Sequence, residues 1–265
     1  MNKEKLKKII DVLLQNYEKM GSKSKFITQK KEIELLQGLM QKLDDVNTQE
    51  NDDKWKSDIN KTDLDEIAKI AGYGECAYQR AIFNSKETHY NGNEIKWKDY
   101  EVPVIINNNA RRKCIDLIGN YDNEGKQVIC ELKYTSNDSY HSNNPYYSIV
   151  ELLLYAYFVD KNKEKLKKYD IHHKNCEIAW EKFTGSNISL IVMANKDYWE
   201  YWLNRLKKEG LKEFVEEIRN DLGVSLDLLE CPNPNKPFND NKISDVRYKP
   251  EMGIEKIELT NALDK

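Results

Sequence analysis

The chain begins with two stretches whose apolar spacing predicts amphipathic helices. Apolar side chains recur every three or four residues over positions 3–20, and again over 30–43. A polar stretch without such a pattern follows, as expected for a linker. We therefore assign a helical hairpin to residues 1–45 and a linker to 46–61. The pattern leaves open whether this hairpin packs on the main domain or mediates self-association as a homodimer.

After Thr62 the pattern changes from helical spacing to strand alternation. A helix predicted from Glu75 to about Ser85 precedes three strand signals in which apolar residues alternate with other side chains or run without a break. These strands are Tyr100–Ile106, Lys113–Gly119 and Gln127–Tyr134. The turn formers Asp122-Asn123-Glu124-Gly125 join the last two into a hairpin.

The second half of the chain predicts further alternation of helices and strands. Residues 146–159 are apolar nearly all round, which indicates a buried helix. A strongly apolar strand at 188–194, two helices and a last strand at 225–229 follow. This order predicts an α/β fold with a central mixed sheet over residues 62–230. Residues 231–265 are assigned to a C-terminal extension.

Composition narrows the class of protein without identifying a function. Hydrophobic residues make up 39% and charged residues 33% of the 265 positions, which is typical of a globular protein. No apolar run has the ~20 residues that cross a bilayer, and no signal peptide is visible, so we expect a cytoplasmic protein and no membrane partner. The five cysteines are scattered without zinc-ligand spacing, which indicates reduced thiols. The net charge of −3 argues mildly against a nucleic-acid partner.

Candidate chemistry lies on the predicted hairpin. Glu131 and Lys133 are two residues apart on one strand and therefore share a face. If the hairpin closes symmetrically, Asp116 lies directly across from Glu131, and the two carboxylates converge. Converging carboxylates repel unless a cation lies between them, and Mg²⁺ prefers oxygen ligands. Asp116 and Glu131 are thus candidate metal ligands, with Lys133 as a candidate catalytic ammonium.

An alternative explanation needs no metal. Charged residues on strands often form a solvated face, on which Asp116 and Glu131 would pair with surface lysines. The apolar content of both strands favours the metal hypothesis, because charges on an internal strand need partners or an ion.

These residues resemble the motif of the PD-(D/E)XK nuclease superfamily. The resemblance consists of Asp116, a gap of 14 residues, and Glu131-Leu132-Lys133, with Ile115 where the motif's proline would stand. It implies a restriction-endonuclease-like αβββαβ core, with the Asp on the second strand and the Glu-x-Lys on the third. It also implies hydrolysis of phosphodiester bonds with Mg²⁺, for which Mn²⁺ substitutes.

The resemblance extends to residues outside the hairpin. Glu75 matches by position a further acidic metal ligand on the first core helix, although a helix N-terminus favours Glu in any case. Glu151 and Tyr155 are similar to a Gln-x-x-x-Tyr pattern of some members, with Glu in place of Gln. A buried carboxylate that bonds tyrosines is the alternative for Glu151. Arg111 and Arg112 are candidate phosphate contacts.

The sequence therefore predicts a metal-dependent nuclease that acts on DNA rather than RNA, in restriction, phage defence or repair. The alternative is an inactive nuclease-fold module that binds DNA or protein.

Overall fold

The computed structural model describes residues 1–16, 33–34, 74–105, 113–123, 125–136, 140–141, 143–168, 178–235 and 251–264. Its α-helices are α1 (Lys3–Asn16), α2 (Gly74–Phe83), α3 (Pro145–Lys168), α4 (Lys196–Leu203) and α5 (Lys208–Leu222). Its strands are β1 (Glu87–Tyr90), β2 (Asn93–Ile105), β3 (Lys113–Tyr121), β4 (Gln127–Lys133), β5 (Thr135–Ser136), β6 (Tyr140–His141), β7 (Ile188–Asn195), β8 (Ser225–Cys231) and β9 (Lys256–Asn261). Two short 3₁₀ helices, Trp180–Lys182 and Gly185–Asn187, precede β7.

Seven of these strands form a closed mixed barrel in the order β1-β2-β3-β4-β7-β8-β9. The barrel closes because β9 pairs in parallel with β1 and antiparallel with β8, which joins the two ends of the sheet. The predicted restriction-endonuclease-like αβββαβ core with an open central sheet is therefore wrong. An open sheet leaves unpaired edges, and the last described strand removes them here.

The hairpin that carries the candidate residues is present in the structure. Strands β3 and β4 are antiparallel, with pairs from Asn120–Gln127 to Leu117–Cys130. At the turn, the N–H of Gly125 donates to the carbonyl of Tyr121, and Gly125 has the positive φ of 64° that glycine tolerates. On its other side β4 pairs in parallel with β7, so β4 lies inside the sheet.

Another hairpin was missed from the sequence. Strand β2 begins at Asn93, well before the predicted start, and pairs with β1 across Asn91-Gly92. Both turn residues have positive φ, as a two-residue turn of type I′ requires, and Asn-Gly is its strongest sequence signal. Apolar alternation did not predict β1 or the start of β2, but the Asn91-Gly92 turn between them indicates this hairpin.

Apolar side chains form two clusters, one on each face of the barrel wall. The inner cluster fills the barrel and includes Cys130 and Leu132 of β4 and the following Tyr134, together with residues of α2. The outer cluster packs the barrel against α3, α4 and α5 and includes Ile129 of β4. Alternate residues of β4 thus face opposite layers, as strand geometry requires.

Helix α3 is longer than predicted and is buried along its first half. Its side chains from Pro145 to Val159 are buried, whereas most of those in its lysine-rich last turns are not. Those lysines suit a helix C-terminus, where the macrodipole favours positive charge. Among the described helices, none is both long and apolar enough to cross a membrane.

Helix α1 contributes to the outer cluster. Leu6, Ile9, Ile10 and Leu13 are buried, and the helix contacts α3 and α5. The second predicted N-terminal helix lies outside the described residues except for Ile33 and Glu34. The division into residues 1–45, 46–61, 62–230 and 231–265 stays a prediction, although β9, from the last of these segments, completes the barrel.

Barrel closure predicts a position-specific effect within β9. Ile257 points into the barrel and is fully buried, whereas its neighbour Glu258 is exposed. We expect Ile257→Ala to lower the free energy of unfolding by about 2–5 kcal/mol, because it leaves a cavity. Glu258→Ala should change it by less than about 0.5 kcal/mol. Urea unfolding of both variants measures this, and equal small effects would contradict a closed barrel.

Candidate metal centre

The candidate site lies where strands β3 and β4 separate. Their backbone pairing stops at Leu117–Cys130, one step before Asp116 and Glu131 would face each other. Beyond that point the N–H of Leu132 donates to Asp116 Oδ2 at 2.7 Å, and the N–H of Tyr134 donates to Glu75 Oε2 at 3.3 Å. Two side-chain carboxylates thus take the place of strand carbonyls along this edge of β4. Because β3 and β4 separate here, the carboxylates of Asp116 and Glu75 are held at the carboxyl end of β4.

The ammonium of Lys133 lies among three carboxylates. Its Nζ donates a hydrogen bond to Glu131 Oε1, and it lies 3.8 Å from Glu75 Oε1 and 4.0 Å from Glu151 Oε2. Both Lys133 and Glu131 are buried, with side chains 7% and 3% exposed. These contacts bring together β4, α2 and α3, because each element contributes one carboxylate.

Helix α3 supplies Glu151 and two tyrosines one turn away on either side. Tyr155 donates its hydroxyl to Glu151 Oε1 at 3.1 Å, and Tyr147 does so at 3.5 Å. Residues four apart share a helix face, so the three side chains line the wall opposite β4. Glu151 therefore bonds tyrosines, as the alternative stated for this residue expects, and it also lies near Lys133.

Gln79 on α2 fixes Asp116 from the other side. Its side-chain amide donates to the Asp116 carbonyl at 2.6 Å and lies 3.4 Å from Asp116 Oδ1. Gln79 is one turn after Glu75, so both side chains leave α2 towards the cluster. Asp116 thus has its backbone and its carboxylate held by partners from α2 and β4.

Burial shifts the ionisation of the cluster. It raises the pKa of Asp116 to about 7, although the Lys133 charge acts in the opposite direction. The pKa of Glu131 is also raised well above its usual value, first by burial and then by the charge of Asp116. Burial lowers the pKa of Lys133, but its surrounding carboxylates outweigh this, and the pKa lies well above the ordinary value. Lys133 is therefore a permanent cation.

The charges of the cluster do not balance. Glu75, Asp116, Glu131 and Glu151 all act on the Lys133 ammonium, so among these five described residues full ionisation leaves a negative excess. Glu131 Oε2 is buried and accepts no hydrogen bond in the described part of the chain. The neighbouring Glu151 carboxylate can bond Glu131 only if one of the two is protonated. A bound proton or cation would therefore neutralise the excess negative charge of the site.

The donor set fits a hard divalent cation, although the described side chains are not arranged as ligands. Carboxylate oxygens are the ligands that Mg²⁺ and Mn²⁺ prefer. Within the described ranges, no group of three or more His, Cys, Asp or Glu side chains has the geometry of a metal site. Since Lys133 Nζ lies against the carboxylates, its flexible head group must move before an ion can take that position.

The structure brings together six of the eight residues predicted for the site and adds others. Arg111 and Arg112 lie outside the described residues. Gln79 was missed because an amide on a helix gives no spacing signal. Glu101 was also missed; it pairs with Arg80 at 3.7 Å and has a positive φ of 49°, which sequence does not reveal. Strained residues of this kind cluster at functional sites.

Comparisons with known proteins give no family for this chain. No family model, curated protein or solved structure matches it. The resemblance to the PD-(D/E)XK nucleases therefore rests on the motif residues alone, and functional proposals depend on the geometry of the site.

The raised pKa values predict how stability depends on pH without metal. Asp116 titrates near pH 7 in the folded chain and near its ordinary, lower pKa when unfolded. The contribution of this group to stability is then largest below about pH 4, falls by at most about 1.4 kcal/mol per pH unit up to about pH 7, and is constant above it. We expect Asp116→Asn to flatten this fall between about pH 4 and 7. Thermal unfolding in EDTA measures it.

The exposed carboxylate of Glu213 on α5 offers a matched control. Glu213→Gln should keep the wild-type dependence on pH, because this residue lies outside the cluster. If Asp116→Asn and wild type lose stability equally between about pH 4 and 7, the pKa of Asp116 is ordinary, and the predicted excess of negative charge in the cluster is wrong.

Proposed function

We propose that the chain is a Mg²⁺-dependent nuclease that hydrolyses phosphodiester bonds in DNA, with Mn²⁺ able to replace Mg²⁺. The observation that carries the proposal is the carboxylate cluster around buried Lys133, in which Glu131 Oε2 has no hydrogen-bond donor within the described ranges. A divalent cation satisfies that oxygen and balances the excess negative charge. The proposal rests on these residues and not on the fold, which is a closed barrel.

Asp116 and Glu131 would hold the ion, with Glu75 beside them. Bound there, the ion supplies Lewis acidity towards a phosphoryl oxygen and a water of lowered pKa. The chain supplies rigidity, because Asp116 is fixed by Gln79 and by the N–H of Leu132. Ligands that are fixed before the ion arrives lose little conformational entropy on binding.

Lys133 would stabilise negative charge on the phosphate. In the metal-free arrangement the surrounding carboxylates raise its pKa, and it neutralises part of their charge. With those carboxylates holding an ion, the ammonium would be free to turn towards the substrate, where it would act as an electrostatic donor.

Glu151 and Tyr155 would border the substrate on the α3 side. The hydroxyl of Tyr155 is bonded to Glu151 and almost fully buried, so it holds the carboxylate in place. Arg111 and Arg112 come directly before β3 and would contact the DNA backbone.

An inactive binding module is the second candidate function. It is favoured by the Lys133–Glu131 pair, which is already neutral without metal. In that case the cluster only holds β4, α2 and α3 together through the contacts of Lys133. Metal binding distinguishes the two functions, because a structural cluster of this kind gains nothing from an ion.

The proposal includes the expected partners and location. DNA is the expected partner, in restriction, phage defence or repair, and whether the chain forms a homodimer is not decided. Of the five cysteines, Cys76, Cys114, Cys130 and Cys231 lie in the described part of the chain, and all four are free thiols. Free thiols agree with the reducing environment of the cytoplasm.

Activity assays test the proposal. The protein should cleave DNA with Mg²⁺ or Mn²⁺, and Glu131→Gln should lower kcat by at least about 10²-fold, because it removes a metal ligand. Glu131→Gln also removes buried charge, so the metal-free variant should be no less stable than wild type. Lys133→Met should lose rate while it keeps Mn²⁺ affinity. The assay compares linear and circular DNA with RNA.

Exposed positions on α5 provide the controls. Glu213→Gln and Lys212→Met change the same residue types outside the site and should retain full activity. Ca²⁺ should support DNA binding with little cleavage, because its looser shell positions water poorly. Equal residual cleavage by wild type and Glu131→Gln would reveal a contaminating nuclease and favour the binding module.

A further inference from the structure

The hydroxyl of Thr135 is a buried polar group that the mechanism above leaves unused. Thr135 follows Lys133 by two residues and is 3% exposed. Its Oγ1 has no hydrogen-bond partner among the residues that the structure describes. Buried polar groups nearly always have partners, so an unpaired hydroxyl points to a bound molecule that it can contact.

This hydroxyl lies on the same face of the chain as the carboxylate cluster. The alternation of β4 continues through Tyr134, which lies in the same cluster as Cys130 and Leu132, and by this alternation residue 135 falls on the side of residues 131 and 133. Leu132 and Tyr134 project to the other side, into the barrel. Strand β5 also contacts α2, which carries Glu75, and α4. Thr135 therefore extends the row formed by Glu131 and Lys133.

Asn195 holds the backbone of Thr135 in place. The N–H of Thr135 donates to Asn195 Oδ1, and Asn195 Nδ2 donates to the carbonyl of Thr135, both at 2.9 Å. The side-chain amide of Asn195, the last residue of β7, thus continues the parallel ladder beyond the final backbone pair, Lys133–Ala194. It is itself held by Asn233 Oδ1 at 3.0 Å. Both backbone groups of Thr135 are satisfied, which leaves the hydroxyl as its available polar group.

Main-chain donors at this end of β4 are already engaged. The N–H groups of Leu132, Tyr134 and Thr135 donate to side-chain oxygens of Asp116, Glu75 and Asn195, respectively. A phosphate that enters among four carboxylates needs hydrogen-bond donors as well as the ion. The Thr135 hydroxyl is a neutral donor that can turn towards it.

We propose that the Thr135 hydroxyl binds a non-bridging phosphate oxygen of the substrate. This inference rests on the proposed nuclease function and adds a substrate-binding residue to it. The hydroxyl donates a hydrogen bond to the phosphate oxygen, and it takes part in no bond making or breaking. Asn195 acts as a positioning residue, because it fixes the backbone that carries the hydroxyl.

Thr135→Val and Thr135→Ser test this role. Valine keeps the branched shape and removes the hydroxyl, whereas serine keeps the hydroxyl. With a DNA oligonucleotide and Mg²⁺, we expect Thr135→Val to lower kcat/KM about 10- to 100-fold, as loss of a charge-assisted hydrogen bond implies. Thr135→Ser should retain most of it, and exposed Thr184→Val should match wild type. Mn²⁺ affinity should be unchanged in all three variants.

Binding of inorganic phosphate to the Mn²⁺-loaded protein, measured by calorimetry, is the readout independent of catalysis. Wild type and Thr135→Ser should bind phosphate about 10-fold more tightly than Thr135→Val. Equal phosphate affinity and equal kcat/KM in wild type and Thr135→Val would overturn the inference, as would loss of Mn²⁺ binding in Thr135→Val. If wild type cleaves no DNA, the proposed function fails, and the phosphate titration still decides the role of Thr135.

Discussion

Four carboxylates around one buried ammonium, two of them buried and two partly exposed, impose the constraint on which the rest of the site depends. Glu75, Asp116, Glu131 and Glu151 come from four different elements, and Lys133 lies among them. Like charges at this proximity destabilise the fold unless protons or a cation compensate them. Without metal, such a cluster lowers the free energy of unfolding. This is expected where function and not stability selects the residues.

The fold meets this constraint by interrupting its own sheet. Strand β4 is paired along its first half with β3, and beyond Cys130 its N–H groups turn to the carboxylates of Asp116 and Glu75. On the opposite edge the side chain of Asn195, the last residue of β7, replaces backbone pairing and bonds Thr135. The site therefore lies at the carboxyl end of a central strand, where backbone N–H groups bond side chains instead of a neighbouring strand. Helix α3 then covers the face that Glu131 and Lys133 share.

Local patterns predicted the site better than they predicted the fold. Alternation and turn residues sufficed for the β3–β4 hairpin, and residues two apart on a strand necessarily share a face, which placed Glu131 beside Lys133. Barrel closure depends on β1 pairing with β9, which lies more than 160 residues further along the chain, and no local pattern carries that information. The roles of Gln79 and Asn195 were not predicted for the same reason, because the role of a single amide depends on its partners in the tertiary structure.

A crystal grown with Mn²⁺ tests the central claim that the cluster is a divalent cation site. Anomalous scattering at the manganese edge locates the ion directly, independent of any assay for cleavage. We predict one peak about 2.1 Å from carboxylate oxygens of Asp116 and Glu131, with the Lys133 ammonium turned away from Glu131. A crystal at millimolar Mn²⁺ without a peak there, and with Lys133 still bonded to Glu131, would contradict the account.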